Sequence, residues 1–213
     1  MYVPAPFAVD DLPRLHQFMT RNSFGLLISQ VDGAPFGTHL PLLLDRSDGP
    51  YGTLIGHVAR ANPHSAELEC QTALAIFSGP HTYISPTWYE AEKVVPTWNY
   101  VAVHAYGKAQ LMHDPAELRQ ALQALVGTYE QGMPEPWTFD DNSPFAERLV
   151  DQIVGFRIRI EKLEGKWKLN QNHPAERRRK VIAALRSQQG EDAAEIASLM
   201  EQSLTSPEPP ESS

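Results

Sequence analysis

The spacing of apolar residues changes along the chain, and each spacing predicts a type of element. Near the start, apolar residues recur every three to four positions behind an acidic pair, which predicts an amphipathic helix. The residues of this stripe are Leu12, Leu15, Phe18 and Met19. Between residues 154 and 161 the apolar side chains fall on alternate positions. This alternation predicts a strand with one buried face.

Turn residues separate several further strands. Asp32-Gly33 lies between two stretches of β-favouring residues, 23–31 and 36–44, and predicts a tight hairpin. We expect residues 51–59 to follow as the third strand of an antiparallel meander. The remaining β-rich stretches are residues 72–79 and 95–113.

Pairs of capping residues predict where helices begin. Asn62-Pro63 combines a strong N-cap with a residue suited to the first helical position, so a helix is expected directly after the third strand. Asp114-Pro115 gives the same signal for a longer helix. Near the C-terminus, residues 173–188 and 191–204 have the composition of two more helices.

These elements indicate a mainly β, α+β fold. Six or so strands joined by hairpins, with helices at both ends and in the insertions, are typical of a small antiparallel β-barrel with peripheral helices and a helical C-terminus. We divide the chain into a barrel domain over residues 1–186 and a C-terminal helix over residues 187–204. Residues 205–213 are rich in Pro, Glu and Ser and are expected to form a disordered tail.

Composition narrows the class of protein. The 213 residues are 42% hydrophobic and 21% charged, which is typical of a globular protein. We find no apolar run of the roughly 20 residues that a membrane helix needs and no secretory signal, so a cytoplasmic protein is expected. A single cysteine, Cys70, excludes an internal disulfide and a multi-cysteine metal site. The eight histidines lack a metal-ligand spacing, and no metal site is expected.

One strand end carries the strongest candidate chemistry. In GHVARANPHS (residues 56–65), Arg60 follows a core strand and stands just before the predicted helix start at Asn62-Pro63. Backbone amides at a helix start and a planar guanidinium both favour an anion such as phosphate. The alternative is that Arg60 pairs with a surface carboxylate.

The net charge of −8 is unevenly distributed. Residues 157–186 contain 10 Lys and Arg residues against 3 Asp and Glu residues, a local charge of +7 on an otherwise acidic chain. Such a block indicates a localised anion site or a solvated basic face more than a broad nucleic-acid surface. Within it, the run Arg177, Arg178, Arg179 and Lys180 is the one cluster suited to a nucleic-acid backbone.

Four segments together resemble a known family. GHVARANPH, GPHTYISPTWY, VPTWNYVAVHAYG and WKLNQN occur in this order. They resemble the PaiB-like FMN-binding negative transcriptional regulators, a branch of the split-barrel flavoproteins related to pyridoxamine-phosphate oxidase. The resemblance covers roughly residues 1–185 and implies a split β-barrel, a homodimer and FMN at the subunit interface. Ser65 departs from it, because a bulky aromatic residue is expected at this position.

The resemblance also implies a set of cofactor-binding residues. Arg60 and Asn62, with the following helix start, would hold the FMN phosphate. Three residues of the returning strand would meet the flavin through backbone groups and an imidazole. They are Thr38, His39 and Leu40. Pro41 would interrupt that strand at an edge or a bulge.

Two further segments complete the expected site. In VPTWNY, Trp98 and Asn99 would stack on or hydrogen-bond the ring system, although Trp98 also suits an ordinary core. In WKLNQN, Lys168, Gln171 and Asn172 would close the site from the partner subunit. Hairpin and capping roles are the alternative for these last three residues.

Three functions remain open at this point. The family resemblance favours an FMN-binding transcriptional regulator or sensor. The wider fold also accommodates a flavin-dependent oxidoreductase that acts on a small molecule. A cofactor-free dimeric binding module is the third alternative. We expect any direct DNA binding to be weak and to depend on residues 177–180, because the rest of the chain is acidic.

Overall fold

The described residues of the computed structural model, 1–140 and 143–205, form eight β-strands and six α-helices. The strands are β1 (Ala8–Val9), β2 (Phe24–Val31), β3 (Ala34–Pro41), β4 (Leu43–Asp45), β5 (Thr53–Ala59), β6 (Thr72–Ile84), β7 (Thr97–Leu111) and β8 (Ile153–Lys168). The helices are α1 (Leu12–Arg21), α2 (His64–Glu67), α3 (Pro115–Glu130), α4 (Pro144–Val150), α5 (Ala175–Ser187) and α6 (Glu191–Thr205). No helix in these ranges is long and apolar enough to cross a membrane.

The strands form one mostly antiparallel sheet. They hydrogen-bond in the order β3-β2-β6-β7-β8-β5-β4, and β1 pairs with β8 outside this path. The result is an α+β fold of the split-barrel type, so the predicted fold class is confirmed.

The predicted hairpin forms at Asp32-Gly33. Both residues adopt positive φ angles, 51° and 72°, which is the conformation of the two central residues in a tight hairpin turn. The register of β2 and β3 runs from Val31 opposite Ala34 to Phe24 opposite Pro41. Among the described strands β3 pairs with β2 alone and ends at Pro41, so the proline lies on an edge strand, as predicted.

The predicted three-strand meander is confirmed only in part, because its middle strand is divided into two. The returning stretch 36–44 is broken at Leu42, whose backbone N–H donates to the Ser23 carbonyl at 2.8 Å. After this break the chain begins β4, which pairs with β5 through Leu43 opposite Ile55. The other neighbour of β5 is β8 and not β3. The Leu42 hydrogen bond keeps the register of β2 and β3 one residue past Pro41, and the chain then leaves β2 to pair with β5.

The chain divides into two compact units, which we describe separately. The first unit comprises Met1–Asp11, Ser78–Val103 and Glu164–Ser213, and the second comprises Leu12–Phe77 and His104–Leu163. The long strands β6, β7 and β8 contribute residues to both.

In the second unit, α3 packs closely on β8. Met112, Leu118 and Val150 form a buried cluster beneath it. A Cβ at Gly155 would lie 2.7 Å from both the Leu118 side chain and the Met112 sulfur, so only glycine permits this approach. Asp114 caps α3 as predicted, since its side chain accepts a hydrogen bond from the Ala116 amide.

In the first unit, α5 and α6 pack against each other. This packing corrects the expectation that residues 177–180 are all displayed. Arg178 is buried and donates to the Ser203 hydroxyl of α6. Lys180 forms an ion pair with Glu90 at 2.9 Å. Helix α6 extends to Thr205, and the rest of the predicted disordered tail lies outside the described residues.

Candidate functional site

Arg60 is anchored to the backbone of the α4–β8 connection. Its Nε donates to the Asp151 carbonyl at 2.6 Å and its Nη2 donates to the Ile153 carbonyl at 3.0 Å. Its own amide donates to the Gln152 carbonyl at 2.7 Å. Two carbonyl partners fix the guanidinium plane without neutralising its charge. Nη1 has no hydrogen-bond partner among residues 1–140 and 143–205, and the side chain is exposed.

Two residues along the chain from Arg60, three polar side chains converge. The Asn62 amide nitrogen donates to the Thr38 hydroxyl at 3.1 Å. The same hydroxyl lies 2.9 Å from Nδ1 of His64. The Asn62 carbonyl oxygen accepts from the His64 amide at 2.9 Å. We call Thr38, Asn62 and His64 the polar triplet.

His64 is the buried member of the polar triplet. Its side chain is fully buried and packs edge-to-face on Phe36, with ring centroids 4.8 Å apart. Burial lowers the pKa of its imidazole below the ordinary value, so the ring is neutral at pH 7. A neutral imidazole both donates and accepts hydrogen bonds, and the approach of an anion would favour its protonation.

The helix start is weaker than the sequence predicted. Helix α2 has only four residues, and its N-cap is Pro63 rather than Asn62. Asn62 still bonds the His64 amide, but one helical turn has a small dipole. Any preference of this segment for an anion therefore comes from side chains.

The other two predicted residues of β3 differ in exposure. His39 is exposed and stacks on Phe24, with ring centroids 6.2 Å apart. Leu40 is buried in the core, so only its backbone can meet a ligand. As an edge strand, β3 turns alternate backbone N–H and C=O groups away from β2, which makes such backbone contacts geometrically possible.

The first unit contains a second polar group around Lys168. The Lys168 ammonium donates to the Thr97 hydroxyl and, at 2.8 Å, to the Trp98 carbonyl. Burial and, second, the charge of Lys166 lower the pKa of Lys168. Lys166 itself is buried, lies 5.1 Å from the centre of the Tyr100 ring and donates to the Tyr2 carbonyl.

The remaining predicted residues divide between surface and structural roles. Trp98 is 53% exposed and forms an edge contact with Tyr83. Asn99 is fully buried and its amide contacts the Met200 sulfur at 3.4 Å. Gln171 bonds the Leu169 amide and the Trp167 carbonyl, which is the hairpin role left open by the sequence. Asn172 is exposed.

The structure therefore brings together Thr38 with Asn62 in the second unit, and Lys168 with Trp98 in the first. It adds His64, which the sequence analysis did not select. The signal was present, because His64 ends the segment HVARANPH two residues after Asn62. Its burial and its contact with Thr38 depend on tertiary structure and were not readable from that segment.

Comparison with known proteins identifies the family. Residues 1–162 match the family model described as "Putative FMN-binding domain". The chain is 38% identical over 206 residues to Protease synthase and sporulation protein PAI 2 of Bacillus subtilis (strain 168), covering 96% of this chain and 98% of that one. It is also 33% identical to an uncharacterised protein of Aspergillus fumigatus, covering 85% of this chain and 89% of that one.

Solved structures agree on the fold. The flavocytochrome Anf3 from Azotobacter vinelandii matches with a TM-score of 0.60 at 16% identity, covering 76% of this chain and 69% of that one. A FAD and heme binding protein from Mycobacterium smegmatis matches with a TM-score of 0.60 at 14% identity, covering 83% and 79%. From the match to its family model, the chain belongs to the FMN-binding domain family, and FMN is its cofactor.

Proposed function

We propose that this protein is an FMN-binding regulator or sensor of the PaiB-like type, in which Arg60 and the polar triplet hold the FMN phosphate. The observation that carries this assignment is that the Asn62 amide and the His64 imidazole both meet the Thr38 hydroxyl, at 3.1 and 2.9 Å, two residues along the chain from an anchored guanidinium. The similarity to the PAI 2 protein over nearly the whole chain supports the regulatory part.

The donors of this segment fit a phosphate. The Thr38 hydroxyl and the Asn62 amide donate neutral hydrogen bonds, and Nη1 of Arg60 adds a charge-assisted one. Fully buried His64 would orient the Thr38 hydroxyl through Nδ1 rather than contact the phosphate itself. Residues of the β3 edge, His39 and the backbone of Leu40, would meet the flavin ring. Bound FMN supplies a centre that takes up and releases electrons.

The first unit contains a second set of donors, which would close the site from the partner subunit, as the PaiB-like resemblance implies. Lys168 is held by Thr97 and the Trp98 carbonyl, and no carboxylate lies within ion-pair distance of it in the described residues. A partly buried ammonium without a carboxylate partner is stabilised by an anionic ligand. Exposed Trp98 would add aromatic contact area, and Asn172 a further hydrogen bond. Asn99, through its buried contact, and Gln171, through its partly buried one, would position these residues.

We further propose a homodimer. The first unit exposes large apolar side chains, with Val95 and Trp98 at 72% and 53% exposure and Tyr83 at 44%. Tyr83 and Trp98 are in contact, and exposed apolar side chains that group in this way are typical of interaction sites. A second copy of the chain is the partner that the PaiB-like resemblance implies.

Direct DNA binding is the weaker part of the proposal. Of the basic run, Arg178 is buried against α6 and Lys180 is paired with Glu90, so two arginines of each chain remain for phosphate contacts. Each neutralised phosphate adds to affinity and to its salt dependence. Few contacts therefore mean weak binding with a shallow salt dependence, and regulation would run through the flavin.

A flavin titration tests the central claim. The fluorescence of FMN and of riboflavin is followed as each is titrated with the full-length protein. If the phosphate is held as proposed, FMN binds at least about tenfold more tightly than riboflavin, since charge-assisted hydrogen bonds to phosphate supply most of the difference. Equal affinity for the two flavins would exclude a phosphate site at Arg60 and the polar triplet.

A further inference from the structure

A pocket of about 570 Å³ lies in the second unit, on the side of Arg60 that faces α3 and α4. Its floor is apolar and is formed by the buried residues Met112, Leu118 and Val150. Arg60 and Arg119 are among its polar lining residues. A polar wall above an apolar floor is the usual construction of a small-molecule site, and the volume falls in the range of about 300–1,000 Å³ for such sites.

Arg119 gives the pocket its chemical preference. Its Nε is buried, and it meets no hydrogen-bond partner in the parts of the chain that the structure describes. A buried charged donor without a hydrogen-bond partner costs free energy. A ligand that accepts a hydrogen bond from it removes this cost, which favours binding. Arg60 offers Nη1 to the same space, because its Nε and Nη2 are held by the Asp151 and Ile153 carbonyls.

The balance of charge around the pocket favours a monoanion. Arg60 and Arg119 contribute two positive charges, and Asp151 contributes one negative charge. A single carboxylate compensates the remaining charge, whereas a phosphate dianion would leave an excess beside Asp151. A carboxylate also matches the planar fork of a guanidinium.

We propose that this pocket binds a small organic acid, with its carboxylate on Arg119 and Arg60 and its apolar body on the floor formed by Met112, Leu118 and Val150. Ser65 lines the same space and donates to the Arg60 carbonyl at 2.7 Å. Its small side chain leaves room for the ligand, and a large ring at this position would fill that room.

The pocket shares Arg60 with the proposed flavin phosphate site. Only the expected coupling between acid binding and FMN binding rests on the proposed function. An acid on Nη1 competes for the donor that the flavin phosphate would use, so bound acid is expected to weaken FMN binding and leave riboflavin binding unchanged. Binding of the acid itself requires no flavin.

The test uses hexanoate as the probe and hexanamide as its uncharged, nearly isosteric control. Each is titrated by calorimetry into the full-length protein without added flavin. We expect hexanoate to bind with a Kd of about 0.1–1 mM, and hexanamide at least about fivefold more weakly, because it lacks the charge.

Variants locate the binding. Arg119→Met should weaken hexanoate binding at least about tenfold, and Arg119→Lys should lose less because it keeps the charge. Ser65→Phe should abolish binding by filling the pocket while it leaves both arginines in place. Arg179→Met, at an exposed arginine of α5 outside the pocket, is the matched control and should bind as the wild type does. Circular dichroism verifies that each variant is folded.

Each contrary result has a distinct meaning. Equal binding of hexanamide, or unchanged binding in folded Arg119→Met and Ser65→Phe variants, would overturn the proposal. Displacement of hexanoate by FMN together with loss of all binding in Arg60→Met but not in Arg119→Met would assign the pocket to the flavin phosphate, which also overturns it. If FMN fails to bind the protein at all while hexanoate binds as expected, the proposed function fails and the acid site stands.

Discussion

Replacing Asn62 by aspartate tests the phosphate site with little change of shape. The Asn62 carbonyl oxygen accepts from the His64 amide at 2.9 Å, and a carboxylate oxygen can accept the same bond. The Thr38 hydroxyl, which now accepts from the Asn62 amide at 3.1 Å, can rotate and donate to the carboxylate instead. The local fold is therefore expected to survive, and the main change is one added negative charge.

The expected magnitude follows from that charge. A negative charge about 5 Å from a phosphate charge costs roughly 3 kcal/mol at an effective dielectric constant of about 20. Asn62 is half-buried, so solvent and salt screen part of this interaction. We expect a net loss of about 2 kcal/mol, or about 30-fold in FMN affinity. Riboflavin has no phosphate, and its affinity should not change.

The assay compares three proteins with two flavins by fluorescence titration at fixed ionic strength. Asn62→Ala removes the amide donor without adding charge, and should lose about 1 kcal/mol of FMN affinity. The predicted FMN affinity is highest for the wild type, lower for Asn62→Ala and lowest for Asn62→Asp. The riboflavin affinity of the three proteins should be equal. If Asn62→Asp and Asn62→Ala bind FMN equally, or if riboflavin falls in parallel, the phosphate does not lie beside Asn62.

Four further predictions follow from the same structure. Arg60→Ala should weaken FMN binding by about 1.5–3 kcal/mol without affecting riboflavin, and equal losses for both flavins would exclude a phosphate contact. Burial lowers the pKa of His57, His64 and His173 in the folded protein. The contribution of their neutral imidazoles to the free energy of unfolding should therefore be full above about pH 6.5 and decrease as pH falls below it, as measured by urea denaturation. Sedimentation should give twice the chain mass of 23.8 kDa, and a monomer that binds FMN stoichiometrically would contradict a shared site. In gel shifts at two salt concentrations, alanine replacement of residues 177–180 should abolish any weak DNA binding, and tight, sequence-selective binding that survives it would contradict our assignment.

Turn residues, capping residues and apolar alternation correctly predicted the elements whose formation depends on residues close together in the sequence. The hairpin at Asp32-Gly33 forms because both positions must accept positive φ, and glycine with aspartate does so at low cost. Helix α3 begins at Asp114-Pro115 because the cap and the first-turn proline satisfy the free end of the helix. The alternation in β8 places Phe156, Ile158 and Ile160 in the core.

Features that depend on distant partners were not predictable. The strand order could not be derived from sequential hairpins, because β5 finds its second neighbour in β8, about a hundred residues along the chain. Arg60 is another such case, since the carbonyls that orient it belong to Asp151 and Ile153. The sequence indicated an arginine beside a helix start, but it contained no information on which of the five N–H groups would remain for a ligand.

Arg60 belongs to both proposed sites, so the coupling between flavin binding and acid binding can be measured. The carbonyls at Asp151 and Ile153 hold Nε and one N–H of Nη2, so the remaining N–H groups and the single positive charge are shared by the flavin phosphate and the carboxylate of an acid in the pocket. A change in FMN affinity caused by the acid must equal the change in acid affinity caused by FMN, because coupling free energies are reciprocal. Measuring both directions therefore gives two independent determinations of one coupling free energy. An acid that binds without changing FMN affinity would place Arg60 in only one of the two sites.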